Sequence, residues 1–559
     1  MSSLLLHPGL LLIFGGLVIG VLRGHGRSMA ILLLPIAALW LIWAAPDPSA
    51  GPVLQFLDYS LRPLAPDNLS RLFATIFAVM AFGGGLFALN QASRLEMPAA
   101  FVYAGSAIGV AMAGDLVTVF VFWELMAIGS TLVLWSGGAY RASFRYLMVH
   151  LFGGVLLMAG IAGHVATTGS VEFVRMGLDT PWHWLMLAGF LINAGAPPLS
   201  AWLPDAYPEA SWSGTVFLSA FTTKTAVYVL LRGFPGNEIL IYIGVFMIFY
   251  GIIYALLEND MRRILAYSIV NQVGFMVTGA GIGTEMAING AAAHAFTHII
   301  YKALLLMSAG SVLFMTGKRK CTDLGGLFQS MPITCICGII GALAISSFPF
   351  TSGFVSKSMI SQAAADQHLL WIWLALAAAS AGVFLHAGIK FPWFVFFQKD
   401  SGLRPPDPPA NMRMAMILFS FLCIAIGIWP EPLYGLLPYA TDYVPYTASH
   451  VVTQLQLLLF SGLAFFVMLE YLKRTLTISL DVDWTYRVLA PAVWRGLEHG
   501  YLSMMRVISE ATARWLNGTT GFVKRHHGPE GLLARNWTTG GTALWMMILL
   551  LVYLLAHLV

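Results

Sequence analysis

The chain has 559 residues, of which 58% are hydrophobic and only 10% are charged. A soluble protein of this size would have about 25% charged residues, so the composition excludes a soluble globular protein and predicts an integral membrane protein. The formal net charge of +4 gives no strongly basic surface, and we expect no nucleic-acid partner.

Apolar runs of nearly 20 residues recur along the chain, a pattern typical of a polytopic all-α membrane protein and not of a transmembrane β-barrel. We count about sixteen candidate spans. They lie near 4–22, 29–45, 69–90, 98–114, 116–136, 146–167, 184–203, 213–232, 239–257, 264–282, 289–315, 333–361, 368–392, 412–430, 451–472 and 541–558. Pro197-Pro198 and Pro349 interrupt the spans at 184–203 and 333–361, and such breaks are tolerated where the helix packs against protein or a cavity.

Two consecutive blocks of five spans each have the interrupted helix in fourth place. Because five is an odd number, the second block enters the membrane from the opposite side, which predicts an inverted-topology repeat. The predicted organisation is N-terminal helices over 1–97, a first five-helix repeat over 98–232, an inverted second repeat over 239–392, C-terminal core helices over 412–472, a cytoplasmic amphipathic segment over 473–540 and a final transmembrane helix over 541–559.

Basic residues indicate the orientation of the spans. One set of loops holds most of them: Arg23 and Arg27; Arg94; Arg141 and Arg145; Arg262 and Arg263; Lys318, Arg319 and Lys320; Lys399, Arg404 and Arg413; Lys473 and Arg474. The alternate loops are poor in Lys and Arg. The positive-inside rule therefore places this set in the cytoplasm and both termini on the non-cytoplasmic side, and we expect a bacterial plasma (inner) membrane.

Hydropathy falls after residue 472, and the C-terminal part has a different pattern. Within 481–516, apolar residues including Leu497, Tyr501, Ile508 and Trp515 recur at helical spacing with charged residues between them. This pattern predicts an amphipathic helix on the cytoplasmic face, and the alternative is a soluble cap packed on its own subunit. A glycine-rich, basic connector over 518–541 precedes the last span.

The most informative stretch contains His294, His298 and Lys302 within an otherwise apolar span. The three residues are at positions i, i+4 and i+8, so they share one face of a helix. Ionisable groups at this depth are costly, and their presence indicates a proton or ion path. The alternative is that the histidines are hydrogen-bonded residues that pack neighbouring helices.

Three further ionisable residues fall in apolar spans. Glu124 and Lys224 lie near the centres of their spans, and Lys357 follows the break at Pro349. A lysine enclosed by protein can exchange its proton near neutral pH, so these residues extend the predicted path. Two alternatives remain: side chains that reach the membrane surface, most plausibly for Lys357, and static ion pairs that only hold helices together.

A second group of ionisable residues lies in or beside spans and ranks below the first. It consists of His150, His164, His386 and Lys390. His386 and Lys390 share a face, but Lys390 lies near the end of its span, so we expect its ammonium group to reach the membrane surface.

Several stretches that contain these residues resemble the antiporter-like membrane subunits shared by multisubunit sodium/proton antiporters and respiratory complex I, and most of all the D-type subunit of the Mrp antiporters. They are DLVTVFVFWELMAIGS, APPLSAWLPDAYPEAS, FTTKTAVYVLLR, ENDMRRILAYSIVNQVGF, HAFTHIIYKALLLMSAGSV and FPFTSGFVSK, which together cover about 98–392. The resemblance implies fourteen core helices with inverted five-helix repeats and broken seventh and twelfth helices. It also implies that Glu124 is the fifth-helix glutamate, Lys224 the eighth-helix titratable residue, Lys302 the central lysine and Lys357 the twelfth-helix lysine.

One position departs from the pattern of this family. The family usually has a seventh-helix lysine paired with the glutamate, and alignment on the proline and Trp202 places Asn193 there. Asparagine does not titrate, so Glu124 would need Lys224 or a residue of another subunit as its partner. The C-terminal segment resembles the lateral helix of the largest antiporter-like subunit of complex I, and 481–516 would span about 50 Å.

The resemblance implies a proton-translocating subunit of a monovalent cation (sodium)/proton antiporter, with other membrane subunits as partners. One alternative is a proton-pumping subunit of a redox-driven complex of the complex I or membrane-bound hydrogenase type. Another is a structural or coupling subunit that does not conduct, which Asn193 favours. The sequence has no dinucleotide-binding glycine motif, cluster-binding cysteine set or nucleophile arrangement, so we expect no cofactor, no metal and no catalysis by this chain alone.

Overall fold

The computed structural model describes residues 7–46, 48, 51–472 and 481–558. Among these residues the only strands, Leu54–Phe56 (β1) and Tyr59–Leu61 (β2), form an antiparallel hairpin, and nearly all other regular structure is helical. In the same part of the chain, twelve helical segments are long and apolar enough to cross a membrane. The prediction of a polytopic all-α membrane protein is therefore confirmed. Lys473 and Arg474, which were part of the argument for the orientation, lie outside the described residues.

Helices occupy each of the predicted spans. The N-terminal helices are α1 (Pro8–Val21), α2 (Gly24–Ala44) and α3 (Asn68–Phe87). The first block contains α4 (Glu96–Met112), α5 (Leu116–Ser136), α6 (Tyr140–Thr168), α7 (Pro181–Ala194), α8 (Trp202–Ala206), α9 (Gly214–Leu218) and α10 (Thr222–Gly233). The second block contains α11 (Ile239–Leu257), α12 (Met261–Ile282), α13 (Glu285–Thr316), α14 (Pro332–Ile345), α15 (Ser352–Asp366) and α16 (Leu370–Val383), which two π-helical segments, Phe384–Lys390 and Trp393–Phe397, prolong. Then follow α17 (Ala410–Ile428), α18 (Glu431–Tyr434) and α19 (Ala448–Val467).

Polar caps fix where several of these helices begin. Asp67, Asp115 and Asp260 each accept a hydrogen bond from a backbone N–H in the first turn of α3, α5 and α12. Thr180 does the same for α7, which begins with Pro181 at a position where proline is favoured. These caps satisfy backbone groups that a helix leaves unbonded at its N-terminus, so they define the helix starts from the sequence.

The two predicted breaks are present. In the first block, α7 ends at Gly195, whose φ of 77° is in the left-handed region, and Pro197-Pro198 separates it from α8. In the second block, residues 346–351 around Pro349 separate α14 from α15. A further break, which no proline signals, separates α9 from α10. Interrupted helices thus supply free backbone carbonyl groups inside both blocks.

The helices that contain the predicted path residues of the two blocks lie mostly in the interior of the protein. The apolar windows of α12 and of the α9–α10 segment are 100% buried. Close packing of α11 on α12 depends on glycine, because a Cβ at Gly274 would lie 2.6 Å from the Gly244 carbonyl oxygen. Polar side chains on α12 and α13 are therefore enclosed by other helices of the same chain.

The chain divides into two compact units, residues 1–483 and 484–559. The second unit contains a π-helical turn (Thr485–Leu489), α20 (Ala490–His527) and α21 (Thr539–Leu558). At 38 residues, α20 is about 57 Å long. It begins later than the predicted 481 and continues through Gly518 and Gly521 of the predicted connector. Basic residues in its last turn, which include Lys524 and Arg525, offset part of the cost of these glycines by complementing the helix dipole.

Candidate functional site

Lys302 lies at the centre of α13 with no exposed surface. Its Nζ donates to Ser268 Oγ at 2.8 Å and contacts the Leu265 carbonyl oxygen at 3.4 Å, both on α12. Both acceptors are uncharged. The amine can therefore keep its hydrogen bonds in its charged form and in its neutral form, which a proton carrier requires.

His294 connects α13 to two other helices. Its Nε2 lies 3.1 Å from Gln272 Oε1 on α12, and its Nδ1 lies 3.3 Å from Ser356 Oγ on α15. Because the Gln272 oxygen is an acceptor, this arrangement gives the ring proton to Nε2 and leaves Nδ1 to accept from the serine. Tyr301 also donates to Gln272 Oε1, at 3.1 Å. His294 therefore links the central helix to the interrupted helix of the second block.

His298 lies between His294 and Lys302 and has no hydrogen-bond partner among the described residues for either ring nitrogen. It is fully buried, and its ring lies edge-on to Tyr301 with centroids 5.2 Å apart. Buried polar atoms are nearly always hydrogen-bonded, so an imidazole in this state is a candidate for transient proton binding. The alternative of a hydrogen-bonded packing residue fits His294 but not His298.

Lys224 lies just after the unpredicted break between α9 and α10. It is fully buried, and its Nζ donates to the Ser219 carbonyl at 2.6 Å and to Thr223 Oγ1 at 3.1 Å. The carbonyl group belongs to the residue that follows the last turn of α9, where an α-helix leaves acceptors free. The break therefore creates the acceptor that holds the amine.

Lys357 repeats this arrangement in the second block. Its Nζ donates to the carbonyl of Ile345, the last residue of α14, at 3.0 Å, and lies 5.0 Å from the centre of the Phe275 ring. The side chain is only 2% exposed, so it does not reach the membrane surface as one alternative supposed. Lys357 also lines a cavity of about 630 Å³ among α15, α16 and α19, which contains Ser358, His450 and other polar residues.

The hydrogen-bond acceptors of Lys224, Lys302 and Lys357 are therefore all uncharged. In the part of the chain that the structure describes, no carboxylate lies within 4.0 Å of Lys224, Lys302 or Lys357. The ion pairs of one alternative are thus not formed there. A buried ion pair would hold a proton in place, whereas a carbonyl or hydroxyl acceptor leaves the amine free to release it.

Glu124 lies apart from these lysines on α5. It is half-buried, and its Oε1 accepts no hydrogen bond from any described residue. The carboxylate lies against Gly154 of α6, where a Cβ atom would be only 2.1 Å from Oε1. The suggested pair with Lys224 is not formed, because no described carboxylate oxygen lies within 4.0 Å of the Nζ of that lysine.

Asn193, the departure from the family pattern, lies in the last turn of α7 and is fully buried. Neither its Oδ1 nor its Nδ2 has a hydrogen-bond partner among the described residues. An unsatisfied buried amide costs about 1–3 kcal/mol, so this position is not optimised for packing alone.

The ammonium group of Lys390 does not lie where the sequence predicted. It is buried, and its Nζ donates to the carbonyls of Ala255 at 3.2 Å and Glu258 at 2.6 Å, at the C-terminal end of α11. The prediction that it reaches the membrane surface was wrong, because the π-helical segment that carries it packs against the end of another helix. His386, on the same segment, donates from Nδ1 to the carbonyl of Gly382 at 2.9 Å.

The sequence reasoning missed the uncharged partners of the site. Ser268, Gln272 and Ser356 hold the central lysine and histidine, and all three are fully buried. Ser268 and Gln272 are polar residues in the middle of an apolar span, and this is the signal that could have identified them.

A hydrogen-bond network at the start of α12 joins the two blocks. Arg262 donates to the backbone carbonyls of Pro208 at 2.9 Å, Ala210 at 2.8 Å and Ser211 at 2.7 Å, which lie in the loop after the first broken helix. The Ser211 hydroxyl in turn donates to the buried Glu96 at 2.7 Å. Arg262 therefore positions this loop and has no direct contact with Lys302.

Comparison with known proteins supports the resemblance. Residues 113–382 match the family described as NADH:quinone oxidoreductase/Mrp antiporter, transmembrane. The chain is 29% identical over 401 residues to the D-type subunit of the Na(+)/H(+) antiporter of Alkalihalophilus pseudofirmus, a match that covers 65% of this chain and 80% of that protein. It is 27% identical over 458 residues to NADH-quinone oxidoreductase subunit M of Pseudomonas aeruginosa, a match that covers 72% of this chain and 89% of that protein.

Solved structures share the fold. The chain matches a subunit in the Mrp complex from Dietzia sp. with a TM-score of 0.69 and 21% identity, over 81% of this chain and 100% of that one. It also matches a chain of the membrane-bound sulfane sulfur reductase, an archaeal respiratory membrane complex, with a TM-score of 0.71 and 23% identity. The second match covers 98% of this chain and 99% of that chain.

Proposed function

We propose that this chain, which matches the family described as NADH:quinone oxidoreductase/Mrp antiporter, transmembrane, over residues 113–382, translocates protons in a multisubunit sodium/proton antiporter. Its partners are the other membrane subunits of that complex. The similarity to the D-type subunit of an Na(+)/H(+) antiporter supports this choice of complex, and sodium is the first cation to test.

The observation that supports translocation is the buried line formed by Lys224, His294, His298, Lys302 and Lys357. A structural core would pair such amines with carboxylates, because an unpaired buried charge is costly. Here the described partners are carbonyl, hydroxyl and amide oxygens. We assign the path to these residues and to Glu124 on α5, with Lys302 at its centre and the cavity beside Lys357 as one end.

The orientation and the repeats are part of the proposal. The odd number of spans in each block supports inverted repeats over 98–232 and 239–392, and the basic loops support cytoplasmic placement of the start of α12. Both termini are then non-cytoplasmic, in a bacterial plasma membrane. The N-terminal helices over 1–97 and the core helices over 412–472 complete this transport unit.

The C-terminal segments, over 473–540 and 541–559, form a clamp for a neighbouring subunit in this proposal. None of the residues of α20 is buried, and its apolar residues lie at helical spacing among charges. Removal of residues 484–559 should leave the remaining helices folded and weaken association with other subunits. An intact complex on native gels after this deletion would show that the segment only caps its own subunit.

A redox-driven complex is the second candidate, because the chain also resembles subunit M of an NADH-quinone oxidoreductase and a chain of an archaeal respiratory complex. The same proton path would then be coupled to electron transfer in partner subunits. A subunit that does not conduct is the third candidate, supported by Asn193 and by the absence of a described cation partner for Glu124.

One experiment separates these candidates. The complete complex is placed in vesicles with an imposed pH gradient and no electron donor, and a pH-sensitive dye reports proton movement when sodium is added. Collapse of the gradient by sodium supports the antiporter. Proton movement that requires an electron donor supports the redox-driven complex, and movement at the wild-type rate in a complex that carries Lys302→Met supports the structural subunit.

A further inference from the structure

Two histidines outside the proposed path are in direct contact at the ends of neighbouring helices. His164 lies in the last turns of α6 and His183 in the first turn of α7. Their ring nitrogens, Nδ1 of His164 and Nε2 of His183, are 3.1 Å apart. Neither residue contributes to the lysine and histidine line on α10, α13 and α15.

The separation of these nitrogens matches the geometry of a shared metal ion. Zinc binds imidazole nitrogen at about 2.0–2.1 Å in a tetrahedral arrangement, which places two ligand nitrogens about 3.3 Å apart. In the hydrogen bond the N–H of one ring points at the lone pair of the other, whereas both lone pairs must converge on a metal. This change requires a rotation of about 35° of each ring relative to the line between the nitrogens, and the χ2 angle of histidine is soft.

The end of α6 and the start of α7 are already packed closely against each other, so a metal would not need to bring them together. A Cβ at Gly160 of α6 would lie 2.7 Å from the Trp182 carbonyl oxygen, and one at Gly163 would lie 2.2 Å from the Trp182 ring. The two helices therefore approach closely in the turn that precedes His164. A site that is already assembled binds with less ordering cost than one that must be gathered.

Protonation is compatible with metal binding. In the hydrogen-bonded pair, one of the two contacting nitrogens carries a proton, and a metal requires both to be bare. The displaced proton moves to the other nitrogen of its own ring, which for His183 is Nδ1. This atom is buried and has no hydrogen-bond partner among the described residues, so the ligand lacks the outer partner that strengthens most metal-bound histidines.

We propose that His164 and His183 form an exchangeable binding site for a divalent transition-metal ion that bridges α6 and α7. Among the described residues no group of three or more His, Cys, Asp or Glu side chains is placed to hold a metal, so water completes the coordination. Two imidazole ligands favour Cu²⁺, Zn²⁺ and Ni²⁺ over Mg²⁺ and Ca²⁺. We expect that a chelator removes the metal reversibly.

The test uses the purified full-length complex and zinc in competition with a metal-sensitive dye. His164→Gln and His183→Gln each preserve a hydrogen-bonding side chain and remove one imidazole. Each should abolish one zinc-binding site or weaken its affinity for zinc more than tenfold. The matched control is the double variant His526→Gln/His527→Gln, which removes two adjacent histidines at the end of α20 and should leave that site unchanged.

A second measurement does not depend on the affinities. With Cu²⁺ bound, electron paramagnetic resonance should show two nitrogen ligands in the wild type and one in either single variant. Equal zinc affinity in wild type and both single variants, or loss of the site only in the α20 control, would overturn the proposal. This test reads metal binding alone, so its failure leaves the proposed transport function untouched.

Discussion

Replacement of Lys302 by methionine should stop transport without preventing folding. Methionine has a similar length and volume, so the enclosed space on α13 remains filled. The substitution removes the donor to Ser268 at 2.8 Å and the longer contact to the Leu265 carbonyl at 3.4 Å. A net hydrogen bond contributes about 1 kcal/mol, and a buried group left without a partner costs about 1–3 kcal/mol.

The structure reduces this cost in two ways. The hydroxyl group of a helical serine can bond to the carbonyl four residues earlier, so Ser268 keeps an acceptor for its proton. The substitution also removes an amine that is costly to bury in its charged form. We therefore expect a loss of stability of at most about 2 kcal/mol, which allows insertion and assembly.

The assay is sodium-induced collapse of the pH gradient in vesicles that contain the complex. We expect the rate to fall more than tenfold, which corresponds to about 1.4 kcal/mol or more in activation free energy. Lys318→Met, at an exposed residue just after the same helix, is the matched control and should transport normally. Transport by Lys302→Met at the wild-type rate, with normal assembly, would refute the central role of this lysine.

Four further predictions test the surroundings of the path. Ser268→Ala should slow transport several-fold and Ser268→Thr should preserve it, and equal rates would show that this hydroxyl does not position the lysine. Gly154→Ala should change the free energy of unfolding of the complex by less than about 1 kcal/mol, because its Cβ meets only the end of the flexible Glu124 side chain and alanine favours the helix, and a larger loss in thermal unfolding would show that this carboxylate is held in place. The effects of Glu124→Gln and Lys224→Met on transport should be additive, since the two side chains are not paired, and strong coupling would contradict this structure. Asn193→Lys should change the dependence of transport on pH, and an unchanged profile would place this residue outside the path.

The sequence predicted the structure correctly where the type of side chain directly restricts the conformation of the backbone. Pro197-Pro198 and Pro349 predicted both major breaks, because proline lacks the donor that a continuing helix needs. The spacing of His294, His298 and Lys302 predicted their shared helix face. The break before Lys224 was missed, because residues 219–221 contain neither proline nor glycine and tertiary packing alone ends α9 there.

The partners of the lysines could not be predicted for a related reason. Lys224, Lys357 and Lys390 bond to backbone carbonyls at helix ends, and every residue type has a carbonyl. A search of the sequence for opposite charges therefore finds no partner for them. The length of α20 was also underestimated, because Gly518 normally marks a connector and here lies inside the helix.

The hydrogen bonds of Arg262 determine how the two blocks can move. The guanidinium group bonds the start of α12 to three backbone carbonyls of the loop after the first broken helix, those of Pro208, Ala210 and Ser211. Three bonds from one rigid planar group resist both sliding and rotation at that point. The two blocks are therefore tied together at this end by a charged group with several directional bonds. Under the proposed transport function, a rocking motion of one block against the other would have to break or carry along these bonds, whereas a rearrangement of side chains would leave them intact.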